Sequence, residues 1–109
     1  MTEDDRLYLG HIADRIGRIE DYTAGGRGAF LASTLRQDAV LQSFTVIGEA
    51  VKRLSSDVRD REPGVPWRQI AGFRDVLVHD YIGVDLVVVW DTVTGSLPGL
   101  KAAVGRLLA

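Results

Sequence analysis

The chain contains no cysteine, which removes disulfide staples and thiolate metal ligands from consideration. A reducing, cytoplasmic setting fits that absence and is the expected location. Long apolar runs are missing as well. The longest, Leu86–Trp90, has five residues, against the roughly 20 that a bilayer-spanning helix requires. No secretory leader is read at the start, where Met1 is followed by Thr2-Glu3-Asp4-Asp5 in place of a basic segment. A basic excess is also lacking: the formal net charge is −2, which argues against a generally basic nucleic-acid binder. The cations that exist are unevenly placed, with Lys52, Arg53, Arg59, Arg61, Arg68 and Arg74 in one short window. Two histidines and scattered acids show no metal-ligand spacing, so no metal and no cofactor are expected.

The 109 residues suit one domain, residues 1–109, large enough to build a core of its own. Leu9, Ile12, Ala13, Ile16 and Ile19 recur at the spacing of an amphipathic helix from about Asp4 to Tyr22, ended by Ala24-Gly25-Gly26. A second long helix is expected over about Phe30–Leu54. Its apolar positions, Val40, Phe44, Ile47, Val51 and Leu54, form a heptad-like seam, so the two helices should pair antiparallel across the glycine-rich turn. Residues 55–65, with Pro63 and Gly64, read as a loop. Pro66 opens a third helix whose stripe is Trp67, Ile70, Phe73, Leu77 and Tyr81, and Asp85 caps a fourth. By propensity alone Leu86–Trp90 would be a strand, but no second convincing strand exists to pair with it. Pro98 starts a last helix with Leu100, Ala103, Val104 and Leu107 inward. The expected fold is all-α, an up-and-down bundle of about four to five helices.

The stretch Arg74–Tyr81, RDVLVHDY, carries most of the chemistry. Histidine exchanges protons near neutral pH, so His79 can act on a hydroxyl or a leaving group. Arg74 stays charged and can stabilise an anionic phosphorus centre. The Tyr81 hydroxyl can bind phosphate or, once activated, act as a nucleophile. A base with a phosphate clamp suffices for metal-free cleavage of RNA by the neighbouring 2′-OH, a route that DNA lacks. On an ideal helix Arg74 and Tyr81 are nearly eclipsed, whereas His79 lies about 140° round from Arg74. Either the long Arg74 side chain wraps round, or the helix loosens before Gly83, or a second subunit facing the first across a two-fold axis brings these groups into one cleft, the arrangement favoured here. The structural alternative is an arginine paired with Asp75 or Asp80 beside a histidine that only packs. Glu49, an acid among apolar neighbours on the second helix, calls for an arginine or a backbone group as its partner, which the motif helix could supply. Residue types alone leave both readings of this stretch open.

Arg74-x4-His79-Asp80-Tyr81 resembles the R-x4-H-x-Y signature of the HepT-like toxins, a branch of the HEPN superfamily. Ile47-Gly48-Glu49-Ala50, Pro66-Trp67, Phe73-Arg74-Asp75, Trp90 and Leu97-Pro98 resemble that family's other landmarks in the same order, so the likeness runs along nearly the whole chain. The resemblance implies a homodimeric, metal-independent ribonuclease toxin of a type VII toxin–antitoxin module, with tRNA or mRNA as substrate. His79 is then the catalytic base, and Arg74 stabilises the phosphate. It further implies an MntA-type nucleotidyltransferase antitoxin that transfers AMP to Tyr81. Asp75 departs from the family's usual Asn; an ionised carboxylate there could weaken RNA affinity or hold Arg74 in place, so Asp75 and Glu49 stand as supporting residues. The alternative is a non-catalytic HEPN module that binds nucleotides or the nucleotidyltransferase.

Overall fold

The computed structural model describes residues 1–109. Seven helices and no strand make up the chain: α1 (Glu3–Tyr22), α2 (Arg27–Leu31), α3 (Thr34–Arg53), α4 (Ser56–Asp60), α5 (Trp67–His79), α6 (Leu86–Gly95) and α7 (Leu97–Leu108). Five of these have ten or more residues, in agreement with the expected all-α bundle, and the other two are single turns. Leu86–Trp90 is helical, as the lack of a pairing strand requires, and Asp85 caps it by accepting from Val87 N–H at 2.9 Å.

Two contacts at opposite ends fix α1 and α3 as an antiparallel pair. Asp5, at the start of α1, accepts the Ser55 N–H just beyond the end of α3, and Arg36, at the start of α3, donates to the Tyr22 carbonyl at the end of α1. Between them Leu9, Ile12, Ile16 and Ile19 meet the α3 seam of Val40, Phe44, Ile47, Val51 and Leu54, all buried. Ala13, assigned to the α1 stripe by spacing, is exposed. Burying a side chain of this size contributes about 1.5–3 kcal/mol before chain entropy is charged against it. α5 lies antiparallel on α3, with Phe73 edge-to-face on Phe44 at 5.4 Å. α7 closes the other side of α1, while Phe30 and Trp90 tie α2 to α6.

Two connecting segments also depart from the sequence pattern. Phe30–Leu54 is not one helix: Ser33 takes an extended conformation, and its hydroxyl accepts from Arg36 N–H to start α3 afresh. Residues 55–65 are not wholly loop, because Ser55 caps the single turn α4 and Val58 is fully buried. The Trp67 indole N–H donates to the carbonyls of Arg59 and Glu62, so this connection is pinned to the start of α5.

Asp5 ties the start of α1 to the chain just beyond the end of α3. It completes a capping box with Thr2 and also accepts from Ser55 N–H and Oγ, each at 2.9 Å, while its side chain is buried. The Ser55 N–H bond, with help from Thr2, outweighs burial and lowers its pKa to about 2. A carboxyl depressed in the folded state stabilises the fold above its ordinary value and loses that contribution as pH falls from about 4 toward 2. Asp5→Ala is expected to cost about 2–4 kcal/mol by orphaning buried donors, read as a lower midpoint in thermal melts at pH 7. The same melts at pH 2 should show little difference between variant and wild type.

Candidate active site

α3 and α5 cross at Gly48. A β-carbon on Gly48 would sit 2.2 Å from the Arg74 Cβ and 2.9 Å from its Cγ, so only glycine lets the two backbones approach this closely. The approach sets the Arg74 side chain against the α3 surface, where it is about one quarter exposed. There its guanidinium meets Glu49 at 3.1 Å and Asp75 at 3.1 Å. Glu49 also holds Arg53 at 3.3 Å, one turn along α3, and Asp75 also pairs with Lys52. Lys52, and after it Arg74, hold the Asp75 carboxyl below the usual carboxylate range. Arg74 is thus clamped by two ionised acids inside a chain of alternating charge, and only its buried Nε lacks a partner. The pairing expected for Glu49 is present, and so is the Asp75–Arg74 contact.

His79 is the last residue of α5, and its exposed imidazole makes no hydrogen bond within the chain. The helix ends there, so Tyr81 leaves the α5 stripe to which spacing assigns it and is exposed in the turn that leads to α6. Gly83 admits the Asp80 carboxylate against its backbone, where a Cβ would lie 2.5 Å from an Asp80 oxygen. This tight turn carries Tyr81 across to α3, where its hydroxyl donates to Asp38. The hydrogen bond to Asp38, reinforced by partial burial and then by the charge of that carboxylate, pushes the Tyr81 pKa up to about 12. Removing that charge with Asp38→Asn should return it toward 10, the ordinary tyrosine value, as followed by NMR of ring-labelled tyrosine across the alkaline range.

Within the chain Arg74 and His79 do not share a cleft. Arg74 lines an open cleft of about 360 Å³ together with Tyr8, His11, Glu49 and Arg53, and His79 is not among its walls. A larger cavity, about 560 Å³, lies between the start of α5 and the α6–α7 corner and contains none of Arg74, His79 or Tyr81. No three His, Asp or Glu side chains cluster closely enough to hold a metal ion. Sequence reading missed Asp38, which is 43 positions from Tyr81 and carries no local signal. It also gave Lys52 and Arg53 no role beyond membership of a basic window, although their spacing from Glu49 on a long helix places Arg53 on the same face.

The family model for ribonuclease HepT-like proteins matches residues 12–107. The chain belongs to the HepT-like ribonuclease family. It is 38% identical over 108 residues to "Probable ribonuclease HepT" of Thermococcus cleftensis, a match covering 98% of each protein. It is also 37% identical over 109 residues to a Methanocaldococcus jannaschii protein named "Gamma-glutamylcyclotransferase and putative RNase", covering 99% of this chain and 49% of that one. The HepT-like chain thus spans about half of the archaeal two-part protein and nearly all of the Thermococcus one. No solved structure matches. The matched span includes both Arg74 and His79.

Proposed function

We propose that this HepT-like protein is a metal-independent endoribonuclease that works as a homodimer and serves as the toxin of a toxin–antitoxin pair. The observation that carries the reading is the contrast between Arg74, fixed by Glu49 and Asp75, and His79, exposed and unengaged at the end of the same helix. A phosphate clamp needs a rigid cation; an acid–base group needs a proton that nothing else holds. In this mechanism one His79 imidazole takes the proton of the 2′-OH, and the 2′ oxygen attacks the adjacent phosphorus. The bond to the 5′ oxygen breaks, and that oxygen receives a proton from the second protomer's His79, which enters the step as imidazolium and leaves it as neutral imidazole. Arg74 stabilises the charge that accumulates on the phosphorus oxygens. The products carry a 2′,3′-cyclic phosphate and a 5′-hydroxyl.

The angular separation of Arg74 and His79 on α5, about 140° on an ideal helix, supports the use of two copies. Apolar side chains left in solvent around them support the same view: Val76, Val78, Val87 and Val88 are about half exposed, and Ile82 is 98% exposed. Ile82→Glu is therefore expected to convert dimer to monomer without loss of helicity and to abolish RNA cleavage. Sedimentation, circular dichroism and cleavage on the same sample check this, and full activity in a monomer would refute the composite site.

Silencing follows from Tyr81. An MntA-type nucleotidyltransferase that transfers AMP to its hydroxyl would add bulk and negative charge two residues from His79, where RNA phosphates must enter. The two carboxylates on Arg74 favour a second reading, a non-catalytic module that binds nucleotides or the nucleotidyltransferase, because they already neutralise the clamp. Incubation of purified protein with tRNA and mRNA separates the two readings, since only the first yields cut RNA.

A further inference from the structure

The cleft beside Arg74 is built from three helices, and the chemistry lining it is not that of a structural seam. Tyr8 and His11 stand one turn apart on α1, with their rings edge-to-face at 6.0 Å. Arg53, from the last turn of α3, lays its guanidinium over the Tyr8 ring at 5.8 Å from the centroid. Arg74 closes the cleft from α5, and Glu49 sits between the two arginines, held at 3.3 Å and 3.1 Å. The His11 ring is exposed and makes no hydrogen bond within the protein. A planar aromatic, a planar cation, an unengaged imidazole and a fixed arginine therefore face one open volume of about 360 Å³.

We propose that Tyr8, His11 and Arg53 form a nucleotide subsite, in which the base next to the scissile phosphate stacks on the Arg53–Tyr8 pair while that phosphate lies at Arg74. Single-stranded RNA is held in this way by aromatic and guanidinium planes that accept the face of a base, with cations along its backbone. His11 lies at the rim, where its ring nitrogens can donate to or accept from the edge of the base. Glu49 gives the subsite its sense. It holds both arginines in place, so that their guanidinium planes are set before RNA arrives. The inference rests on the ribonuclease reading for the nature of the ligand, but its test does not require cleavage.

The probe is a 2′-O-methyl oligoribonucleotide of about ten nucleotides, which lacks the attacking hydroxyl and so stays intact. Fluorescence anisotropy measures its binding to wild-type protein and to Tyr8→Leu, Tyr8→Phe, Arg53→Gln and His11→Ala. Tyr8→Leu keeps the apolar body that packs on the core, and Tyr8→Phe keeps the ring. Expected are losses of roughly tenfold for Tyr8→Leu and Arg53→Gln, wild-type affinity for Tyr8→Phe, and a flattened preference among homopolymers for His11→Ala. Equal binding by wild type, Tyr8→Leu and Arg53→Gln overturns the subsite even if the wild type cleaves RNA. Conversely, a wild type that binds through Tyr8 and Arg53 but leaves unmodified RNA uncut keeps the subsite and refutes the ribonuclease reading.

Discussion

Gly48→Ala is expected to damage both the fold and the site, although alanine is the better helix former. Propensity favours the substitution by about 1 kcal/mol in a helix interior. Against that, the new methyl group would meet the Arg74 Cβ at 2.2 Å, with the Ile70 carbonyl oxygen at 3.3 Å behind it. Neither neighbour is the free end of a flexible chain; the obstruction is the root of a side chain and a helix backbone. α5 must therefore move away from α3, and overpacking of this kind costs about 1–3 kcal/mol or more. The displacement also pulls Arg74 away from Glu49, which fixes it at 3.1 Å. A shift on the order of 1 Å at a positioning group lowers a rate by about 100-fold. We therefore expect a lower melting temperature together with a fall in kcat that exceeds what the unfolded fraction explains. Gly72→Ala is the control, because a β-carbon on this α5 glycine meets nothing within 4 Å; it should leave the melt unchanged or raise it.

The second large effect is expected from His79→Ala and Arg74→Ala, and the two should fail differently. His79 is exposed and has no partner in the protomer, so its loss should leave stability within about 0.5 kcal/mol of wild type. Cleavage should fall by about 100- to 10,000-fold, the range that a general base contributes. Arg74→Ala leaves Glu49 with Arg53 alone and Asp75 with Lys52 alone, and removes a side chain packed on α3, so it should reduce stability as well as rate. Arg74→Lys should not rescue it: an ammonium cannot reach Glu49 and Asp75 as a planar fork does. Thermal melts and single-turnover kinetics on the three variants separate these outcomes.

Much of this architecture is legible in the sequence because it is written in apolar spacing. The seam from Val40 to Leu54 and the stripe from Leu9 to Ile19 place α1, α3 and their antiparallel packing, and every seam position is buried. Pairing logic correctly overrides strand propensity at Leu86–Trp90, because a lone strand has no partner for its backbone groups. The breaks are less legible. Ser33 interrupts the second helix through a hydroxyl cap that looks like any helix-interior serine in the sequence. α4 is only five residues long, too short for a periodic signal.

At the site, the identities of Arg74, His79 and Tyr81 are apparent from residue type and from the family resemblance. Their partners are not. Glu49 and Arg74 are 25 positions apart and Tyr81 and Asp38 are 43 apart, and such pairs become neighbours only once α5 is laid on α3. The spacing-based stripe also carries Tyr81 into the core, whereas the helix ends at His79 and releases it. The place where periodicity fails is the segment to which the proposed chemistry is assigned.

The most direct test of the ribonuclease reading is the chemistry of the product ends. Purified protein, produced without a nucleotidyltransferase and verified by mass to carry an unmodified Tyr81, is incubated with tRNA and mRNA in EDTA, beside His79→Ala. The account predicts fragments ending in 2′,3′-cyclic phosphate from the wild type and none from the variant. Fragments ending in a 3′-hydroxyl, or equal cleavage by His79→Ala, would contradict it.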